Sequence, residues 1–413
     1  MRCKLRCVLG LAVAAAAAAI TVTACGGEAS TTGTSANETP AGEIVIGATI
    51  PLTGALAAFG AQEKIADEML VAEVNAAGGI MVDGEKKLVK LVILDSKSDP
   101  NLTTTQARTL ALENGAVAFF GTIAPPLVIP LSSVSDQLKV PMTHHTPIQA
   151  WLGGRPEGWE YSWDVFFDEL QMTTTQFEAA DLAATNKKVV LFTDTEPDGV
   201  VMGGLWTENA PKFGYEIVAH ETFPVGTTDF SSYIEEAKTA EAEVLIAQMV
   251  PPDAIALWKQ MKAAGYQPKV AVCEKCSYNA GWAEALGPLA EGTLVADVWS
   301  PEYEYADWEK LLATKSQLGG QRSPGVSGVA ISYTVGKVLL DAIAKAASTD
   351  PDKVNAALAA TNGDYPTGHI EFTPEHYSAI PAVQTQWQGG GTVLVWPEVD
   401  GGGELIAPVE GLG

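Results

Sequence analysis

Short apolar runs alternate with helical segments along most of the chain, and this alternation constrains the fold more than any other sequence feature. The first run, Ile-Val-Ile at 44–46, is typical of a buried strand in a parallel sheet. A Pro-Leu-Thr-Gly segment at 51–54 interrupts the pattern before a helix predicted over 61–77, which two glycines end. Repeated alternation of this kind predicts parallel sheets covered by helices on both faces.

The alternation falls into two blocks on either side of a glycine-rich segment at 153–158. Strands are predicted over 44–46, 88–94, 117–120 and 140–143 in the first block and over 188–193, 215–223, 244–249 and 269–273 in the second. A long amphipathic helix at 327–347 and a last strand at 393–396 follow, and 404–413 is predicted to be a loose tail. A chain of 413 residues is long enough for two domains with separate cores.

The N-terminus carries a targeting segment. Basic residues precede an apolar, alanine-rich stretch at 9–20 that is too short to span a bilayer. Small residues at 22–24 directly precede Cys25, as in the lipobox of bacterial lipoproteins, so residues 1–24 are predicted to be a lipoprotein signal peptide and Cys25 the lipidated residue. An ordinary secretory signal with an unrelated cysteine is the alternative. Residues 25–42 are predicted to be a flexible tether because they are rich in Gly, Ser and Thr.

Charge and cysteine usage narrow the function classes. A formal net charge of −25 argues against nucleic-acid binding, which requires a basic surface. Of the five cysteines, Cys3 and Cys7 would leave with the signal peptide and Cys25 would carry lipid. Cys273 and Cys276 remain, and such a pair outside the cytoplasm can form a disulfide. The sequence contains no GxSxG, HExxH or GxxxxGK[ST] motif, so no catalytic activity is predicted.

Several segments together resemble the type I periplasmic binding proteins, in particular the leucine/isoleucine/valine-binding branch that serves ABC importers. They are PLTGALAAFG at 51–60, NAAGGI at 75–80, DSKSDP at 95–100, GTTDF at 226–230 and KQMKAAGY at 259–266. The resemblance covers about residues 43–397 and depends on the order of the segments rather than on any one of them. VPMTHHTPIQAW at 140–151 and PPDAIALWKQ at 251–260 resemble a less characterised subgroup.

The resemblance implies an α/β fold of two doubly wound parallel-sheet lobes, joined by three crossovers, with a ligand cleft between them. The N-terminal lobe is expected to comprise 43–163 and 300–368, and the C-terminal lobe 164–299 and 369–403. Crossovers are expected near 163–166, 298–301 and 368–373. Hinge closure on the ligand is the motion expected of such a protein.

The cleft residues are expected on loops at the carboxyl ends of strands, where open α/β sheets bind ligands. In the first lobe the expected residues are Phe59, Thr122, Ile123, Ala124, His144, His145, Thr146 and Trp151. In the second lobe they are Asp194, Glu196, Asp198, Met249, Glu274 and Lys275. Cofactors and metals are not expected.

Three of these positions have two interpretations each. Phe59 stands where the family places an aromatic ring on the ligand, but it would also pack beneath the start of its own helix. Glu274 stands where the leucine-binding branch pairs a carboxylate with the ligand α-amino group, but its cationic partner could instead be Lys275. Either His144 or His145 could hydrogen-bond a ligand carboxylate or hydroxyl; alternatively, one of them would be exposed and the other would bond only to local backbone.

The chain departs from the amino-acid-binding pattern at the first-lobe position that normally holds a ligand carboxylate. There Pro125 and Pro126 lack the N–H groups that such a site uses. Histidines replace the usual hydroxyl segment after the fourth strand, and Asp198 replaces an aromatic residue. These departures favour a different small polar organic solute, such as an amide, a modified amino acid or an aromatic acid.

The leading hypothesis is a monomeric solute-binding protein that delivers a small molecule to the membrane subunits of an ABC importer. Lipidated Cys25 would hold it on the outer face of the bacterial cytoplasmic membrane or in the periplasm. A ligand sensor with the same fold is the first alternative. A zinc or redox protein is the second, because Cys273, Cys276, His144 and His145 would suffice as tetrahedral ligands.

Overall fold

The structure is a computed structural model that describes residues 42–318 and 325–413. The predicted signal peptide, Cys25 and the tether up to residue 41 lie outside the described residues.

The described part of the chain alternates strands and helices, as the sequence predicts. The strands are β1 Glu43–Ile50, β2 Ile80–Val82, β3 Glu85–Asp95, β4 Ala116–Phe120, β5 Met142–His144, β6 Ser162–Phe166, β7 Lys188–Asp194, β8 Glu216–Phe223, β9 Val244–Gln248, β10 Val270–Glu274, β11 Thr293–Asp297, β12 Asn362–Tyr365, β13 Gly368–Glu371, β14 Tyr377–Ala379, β15 Val383–Gln388 and β16 Gly391–Trp396. The helices are α1 Ala57–Ala76, α2 Pro100–Leu112, α3 Pro125–Leu138, α4 Ile148–Gly153, α5 Glu169–Ala180, α6 Pro197–Asn209, α7 Ser231–Thr239, α8 Pro251–Ala264, α9 Ala280–Leu286, α10 Trp308–Ala313, α11 Gly325–Ala346 and α12 Pro351–Ala359.

The first lobe contains a seven-stranded sheet in the order β14-β6-β5-β4-β1-β3-β2. All neighbours in it pair in parallel except β2, which forms an antiparallel hairpin with β3. The central strand β1 is buried from Ile46 to Ile50, as expected of a parallel strand covered by helices on both faces.

The second lobe contains a seven-stranded sheet in the order β16-β15-β11-β10-β9-β7-β8. Its strands from β8 to β11 pair in parallel, and β15 and β16 complete the sheet in antiparallel orientation. The predicted architecture of two parallel-dominated lobes is therefore confirmed. Strand β15 was not predicted because its sequence, VQTQWQ, is half glutamine.

Two predicted lobe boundaries differ from those that the sheets define. The boundary placed between 163 and 164 falls inside β6, which lies wholly in the first sheet. Residues 368–373, the predicted third crossover, contribute to the β12–β13 hairpin, and β14 then pairs with β6 in the first sheet. The chain reaches the second sheet only after Ala379, because a short parallel pairing with β6 keeps it in the first lobe.

Helix α11 returns the chain to the first lobe. It packs on α1, and the Thr143 hydroxyl of β5 donates to the backbone carbonyl of Val335 at 2.7 Å. Its length and apolar composition would allow it to cross a membrane, but 89% of its most apolar window is buried inside the protein. It is a core helix of the lobe.

The prediction of a loose C-terminal tail is wrong. The backbone N–H of Ile406 donates to the Gln386 side chain at 2.8 Å, and that of Val409 donates to the Pro268 carbonyl at 3.3 Å. Val409 and Leu412 are buried in the core of the second lobe. The tail adds two apolar side chains to this core, which the glycine-rich sequence around them does not indicate.

Candidate functional site

A cavity with about 480 Å³ of empty space lies between the two lobes. The carboxyl ends of strands in both sheets face it, which is where open α/β sheets bind ligands. Its lining consists of Phe59, Ile123, Ala124, Pro147, Phe166, Phe167, Asp198, Glu274, Lys275, Tyr278, Ala296, Asp297 and Val298.

Six of the predicted site residues line this cavity. They are Phe59, Ile123, Ala124, Asp198, Glu274 and Lys275. Sequence reasoning missed the acid Asp297 and the ring of Tyr278. Asp297 ends strand β11, so the same strand-end rule applied to that strand would have found it. Tyr278 follows the second cysteine on an irregular loop, where no sequence pattern marks it.

Phe59 lies in the first turn of α1 and lines the cavity. Its side chain is buried, and its ring stacks on Tyr278 from the opposite lobe with 6.3 Å between centroids. The loop before it is fixed by a hydrogen bond from the Leu56 N–H to the Ser98 hydroxyl at 3.1 Å. Gly60 allows α1 to lie against this loop, because a Cβ there would overlap the Pro51 carbonyl.

Trp151 does not reach the cavity, contrary to the prediction. Its indole N–H donates to the Ser132 hydroxyl at 3.1 Å, and its ring stacks on Trp159 in the first-lobe core. The short helix α4 turns the side chain away from the cleft and toward α3. Met249 is likewise placed elsewhere, in the core of the second lobe.

Neither predicted histidine lines the cavity. His144 is buried with its Nδ1 atom 3.3 Å from an Asp164 oxygen, and its ring lies edge-on to Trp151. His145 is buried with Nε2 4.0 Å from a Glu63 oxygen. Burial lowers the pKa of each to about 3, so both rings are neutral at physiological pH. They belong to the interior of the first lobe.

Thr122 and Thr146 support the cleft wall from within. The Thr122 hydroxyl donates to the two Glu63 oxygens at 3.2 and 3.1 Å, and the Thr146 N–H donates to Asp164 at 3.1 Å. Burial raises the pKa of Glu63 to about 8, so this carboxyl is mainly protonated at neutral pH. Glu63 was not predicted, because an acid within a helical pattern normally indicates a solvated face.

An ionic cluster of Asp194, Glu196, Asp198 and Lys275 forms the polar wall of the second lobe. The Lys275 ammonium pairs with Glu196 and lies 3.1 Å from Asp198. Burial alone would lower the pKa of Lys275, but these carboxylates raise it above its usual value. Oxygens of the three acids lie within 4.8 Å of one another, so the ammonium occupies the position that a metal cation would need. Burial raises the pKa of Asp194 to about 7.

Glu274 lines the cavity, and within residues 42–318 and 325–413 it has no direct ionic partner. Its Oε2 atom is buried and accepts no hydrogen bond, while the Lys275 ammonium is directed to Glu196 and Asp198. Burial raises the pKa of Glu274 to about 8. The sequence leaves two cationic partners open for Glu274, a ligand amine and Lys275. The ammonium of Lys275 is paired with Glu196 and Asp198 instead.

Two lining residues on opposite walls have strained backbones. Ala124, which precedes α3, has φ of 71°, and Lys275 has φ of 63°. Positive φ is unfavourable for residues other than glycine and is concentrated at ligand sites. The two strained residues face the same cavity, which supports its assignment as the site.

A hydrogen-bond chain connects the lobes at the cavity edge. The Tyr278 hydroxyl donates to Ser327 at 2.6 Å, and the Ser327 hydroxyl donates to Asp297. Tyr278 and Asp297 belong to the second lobe, whereas Ser327 lies on α11 of the first. Burial raises the pKa of Asp297 to about 7. The lobes are therefore joined across the cavity in this conformation.

Cys273 and Cys276 form a disulfide at the carboxyl end of β10. Both residues are buried in the second-lobe core, whereas His144 and His145 lie in the first lobe. The four side chains proposed as zinc ligands are therefore divided between the lobes, and the disulfide removes both thiolates as ligands.

Two α/β lobes that enclose a cavity, with lining residues from both, define a small-molecule-binding protein of the two-lobed class. The model of the periplasmic binding protein family matches residues 43–391, and the chain belongs to this family. Proteins of the family bind small molecules outside the cytoplasm and work with ABC transporters.

Individual relatives are distant. The chain is 25% identical over 383 residues to Leu/Ile/Val-binding protein homolog 8 of Brucella abortus, covering 86% of this chain and 91% of the relative. Its fold is similar to that of the leucine-binding protein LivK of Thermotoga maritima, with a TM-score of 0.75, 20% identity and coverage of 85% and 97% of the two chains. It is similar also to a solute-binding protein of R. palustris in complex with benzoate, with a TM-score of 0.73, 18% identity and coverage of 89% and 97%.

Proposed function

We propose that this protein is an extracytoplasmic solute-binding protein that captures a small organic molecule between its lobes and delivers it to an ABC importer. The observation that carries the proposal is the interlobe cavity of about 480 Å³, lined by side chains from both lobes.

Hinge closure is the proposed capture step. The hydrogen bonds between Tyr278, Ser327 and Asp297, together with the stacking of Phe59 on Tyr278, join the lobes only when they are close together. A ligand that contacts both walls would favour this closed arrangement, since it binds the closed state better than the open one. The proposed role includes no chemical change of the solute.

Membrane attachment through Cys25 is a further part of the proposal. It is supported by the small residues at 22–24 and by the Gly/Ser/Thr-rich segment at 25–42, which would give the folded body freedom to reach the importer. Mass spectrometry of the protein from its native membrane would detect a lipid mass on Cys25. An unmodified Cys25 in the mature chain would contradict the anchor without affecting solute capture.

A thermal-shift screen against amino acids, amides, organic amines, aromatic acids and polyols tests the binding function. A ligand at 100 times its Kd stabilises the folded protein by about 2.7 kcal/mol. The Ala296→Trp variant, which fills part of the cavity, should lose the shift, whereas the exposed control Ala184→Trp should retain it. If no solute stabilised the protein, or if the cavity-filling variant responded like the control, the proposed site would be wrong.

Transport and sensing are separated by an uptake assay. A strain that lacks the protein should lose uptake of the identified radiolabelled solute and regain it on complementation. Normal uptake together with altered transcription in response to the solute would favour the sensor alternative.

A further inference from the structure

The chemistry of the cavity wall indicates what kind of solute it accepts, provided that the proposed binding function is correct. Three carboxyl groups line the cavity, those of Asp198, Glu274 and Asp297. Among the described residues that line it, Lys275 is the one cation, and its ammonium is already bonded to Glu196 and Asp198. A ligand carboxylate would have to compete with Glu196 and Asp198 for the ammonium of Lys275.

The helix start that would normally bind an anion is blocked on the first-lobe wall. Helix α3 begins with Pro125 and Pro126, which have no N–H groups. The next two N–H groups, of Leu127 and Val128, both donate to the Ala124 carbonyl at 3.0 Å. The first four positions of α3 therefore offer no free donor to a ligand carboxylate.

The helix start on the second-lobe wall is already paired with an acid of the protein. Helix α6 begins with Pro197, and Asp198 follows in its first turn. A carboxylate at that place satisfies the positive end of the helix dipole. Asp198 also accepts a hydrogen bond from the Gln248 side chain at 2.6 Å, so its charge is held in place there.

Glu274, by contrast, offers an acceptor oxygen that needs a hydrogen-bond donor. It is 5% exposed, and its buried Oε2 atom has no hydrogen-bond partner in the described structure. A buried acceptor of this kind is costly unless a donor reaches it. Because Glu274 lines the cavity, a ligand nitrogen is suitably placed to donate to it. Burial keeps this carboxyl mainly protonated at pH 7, and a cationic nitrogen beside it would favour the ionised form and make the bond charge-assisted.

The remaining wall fits an apolar ligand body. The rings of Phe59, Phe166, Phe167 and Tyr278 line the cavity, and Ile123 and Val298 add aliphatic surface. Aromatic faces also attract cations, so they add to the attraction for a positively charged nitrogen.

We propose that the cavity binds a small organic amine with an aromatic or branched aliphatic body and no carboxylate. The amine nitrogen donates to Glu274, and the body lies among the four rings. This ligand class differs from the amino acids and the aromatic acid that the names of similar proteins record.

Isothermal titration calorimetry with a matched ligand set tests the proposal on the wild-type protein. The set is 2-phenylethylamine, phenylalanine, 3-phenylpropanoate and 3-phenylpropanamide, and a second set is isoamylamine, leucine and 4-methylpentanoate. The amine should bind at least tenfold tighter than the other members of at least one set. This comparison requires no variant, so a folding defect cannot obscure it.

The Glu274→Gln variant then tests the nitrogen contact. It should weaken amine binding at least tenfold, whereas Glu284→Gln, the same change at an exposed position of the same lobe, should leave it unaltered. Equal affinity of Glu274→Gln and wild type for the amine would overturn the assignment of Glu274.

The outcomes separate this proposal from the function on which it rests. Tighter binding of an amino acid, an acid or an amide would overturn the amine class while leaving solute capture intact. Binding of only a polyol or another unrelated solute from the wider screen would also overturn the amine class and leave solute capture intact. Absence of binding by every solute tested would overturn both proposals.

Discussion

The buried ammonium of Lys275 offers the strongest test of the ionic cluster in the second lobe. The Lys275 side chain is 7% exposed, and its partners Asp198 and Glu196 are 3% and 20% exposed. The Lys275→Met change keeps a non-glycine residue at the strained backbone position but leaves the acids without their cation. Removing one partner of a buried ion pair typically costs about 3–5 kcal/mol.

The stability lost in Lys275→Met cannot exceed the free energy of protonating one of the acids, because protonation removes the unpaired buried charge. At pH 7, protonating an aspartate of ordinary pKa, about 3.9, costs about 4 kcal/mol, since each pKa unit is worth about 1.4 kcal/mol. At pH 5 the same protonation costs only about 1.5 kcal/mol. We therefore expect Lys275→Met to lower the free energy of unfolding by about 4 kcal/mol at pH 7 and by about 1.5 kcal/mol at pH 5.

Urea denaturation followed by tryptophan fluorescence at the two pH values measures this difference. Lys212→Met is the matched control, because its ammonium pairs with Glu208 on an exposed helix face and should contribute only about 0.3–0.5 kcal/mol. The double variant Lys275→Met/Asp198→Asn should recover part of the loss. A loss below about 1 kcal/mol at pH 7, or one that grows on acidification, would refute the reasoning.

Three further predictions concern the first lobe, the closure of the lobes and the disulfide. Between about pH 5.5 and 7, Glu63 is protonated in the folded state and ionised in the unfolded state, so stability falls as pH rises. Glu63→Gln should make this fall shallower by about 1.4 kcal/mol per pH unit, measured by urea denaturation. Ser327→Ala removes both hydrogen bonds by which Ser327 joins the lobes, those with Tyr278 and Asp297, and should raise the Kd of the best solute at least about five- to tenfold by calorimetry. Reduction of the Cys273–Cys276 disulfide should cost no more than about 2 kcal/mol of stability in urea, since the loop it closes is short.

The two substitutions have matched controls, and each of the three predictions has a contrary outcome. Glu68→Gln, at an exposed position on the same helix as Glu63, should leave the pH dependence as in wild type. Ser316→Ala, which removes only a local bond on an exposed turn, should leave the Kd unchanged. Near-stoichiometric zinc in the purified protein, released only by a chelator, would contradict the disulfide assignment. An unchanged pH slope in Glu63→Gln or an unchanged Kd in Ser327→Ala would refute the corresponding contact.

Local sequence patterns correctly predict a structural feature wherever that feature depends on residues that are near neighbours in the chain. The strand at β1 follows from a run of apolar residues, and the start of α3 follows from Pro125 and Pro126, because proline suits the first helical positions. The strand-end rule likewise placed Phe59, Glu274 and Lys275 at the cavity.

Predictions of cavity residues were wrong where a side chain on a strand-end loop can point either into the cleft or into the interior of its own lobe. Trp151, His144 and His145 follow the fourth predicted strand as expected, yet their side chains pack inside the first lobe. Sequence order fixes the loop but not the side to which each residue turns, which depends on the packing of α4 and on partners such as Ser132 and Asp164.

From local pattern and residue type, the sequence by itself predicted two α/β units and the absence of N–H groups at Pro125 and Pro126. Its resemblance to the type I periplasmic binding proteins added the two-lobed arrangement and the carboxylate-binding role of that position in the family. Only the tertiary structure decided that β14 stays in the first sheet, that Asp297 and Tyr278 join the cavity wall, and that Lys275 pairs with Glu196 and Asp198. The physical reason is that these features depend on contacts between residues far apart in the chain. Direction and partnership of side chains are fixed when the sheets and helices pack, and no local pattern encodes them.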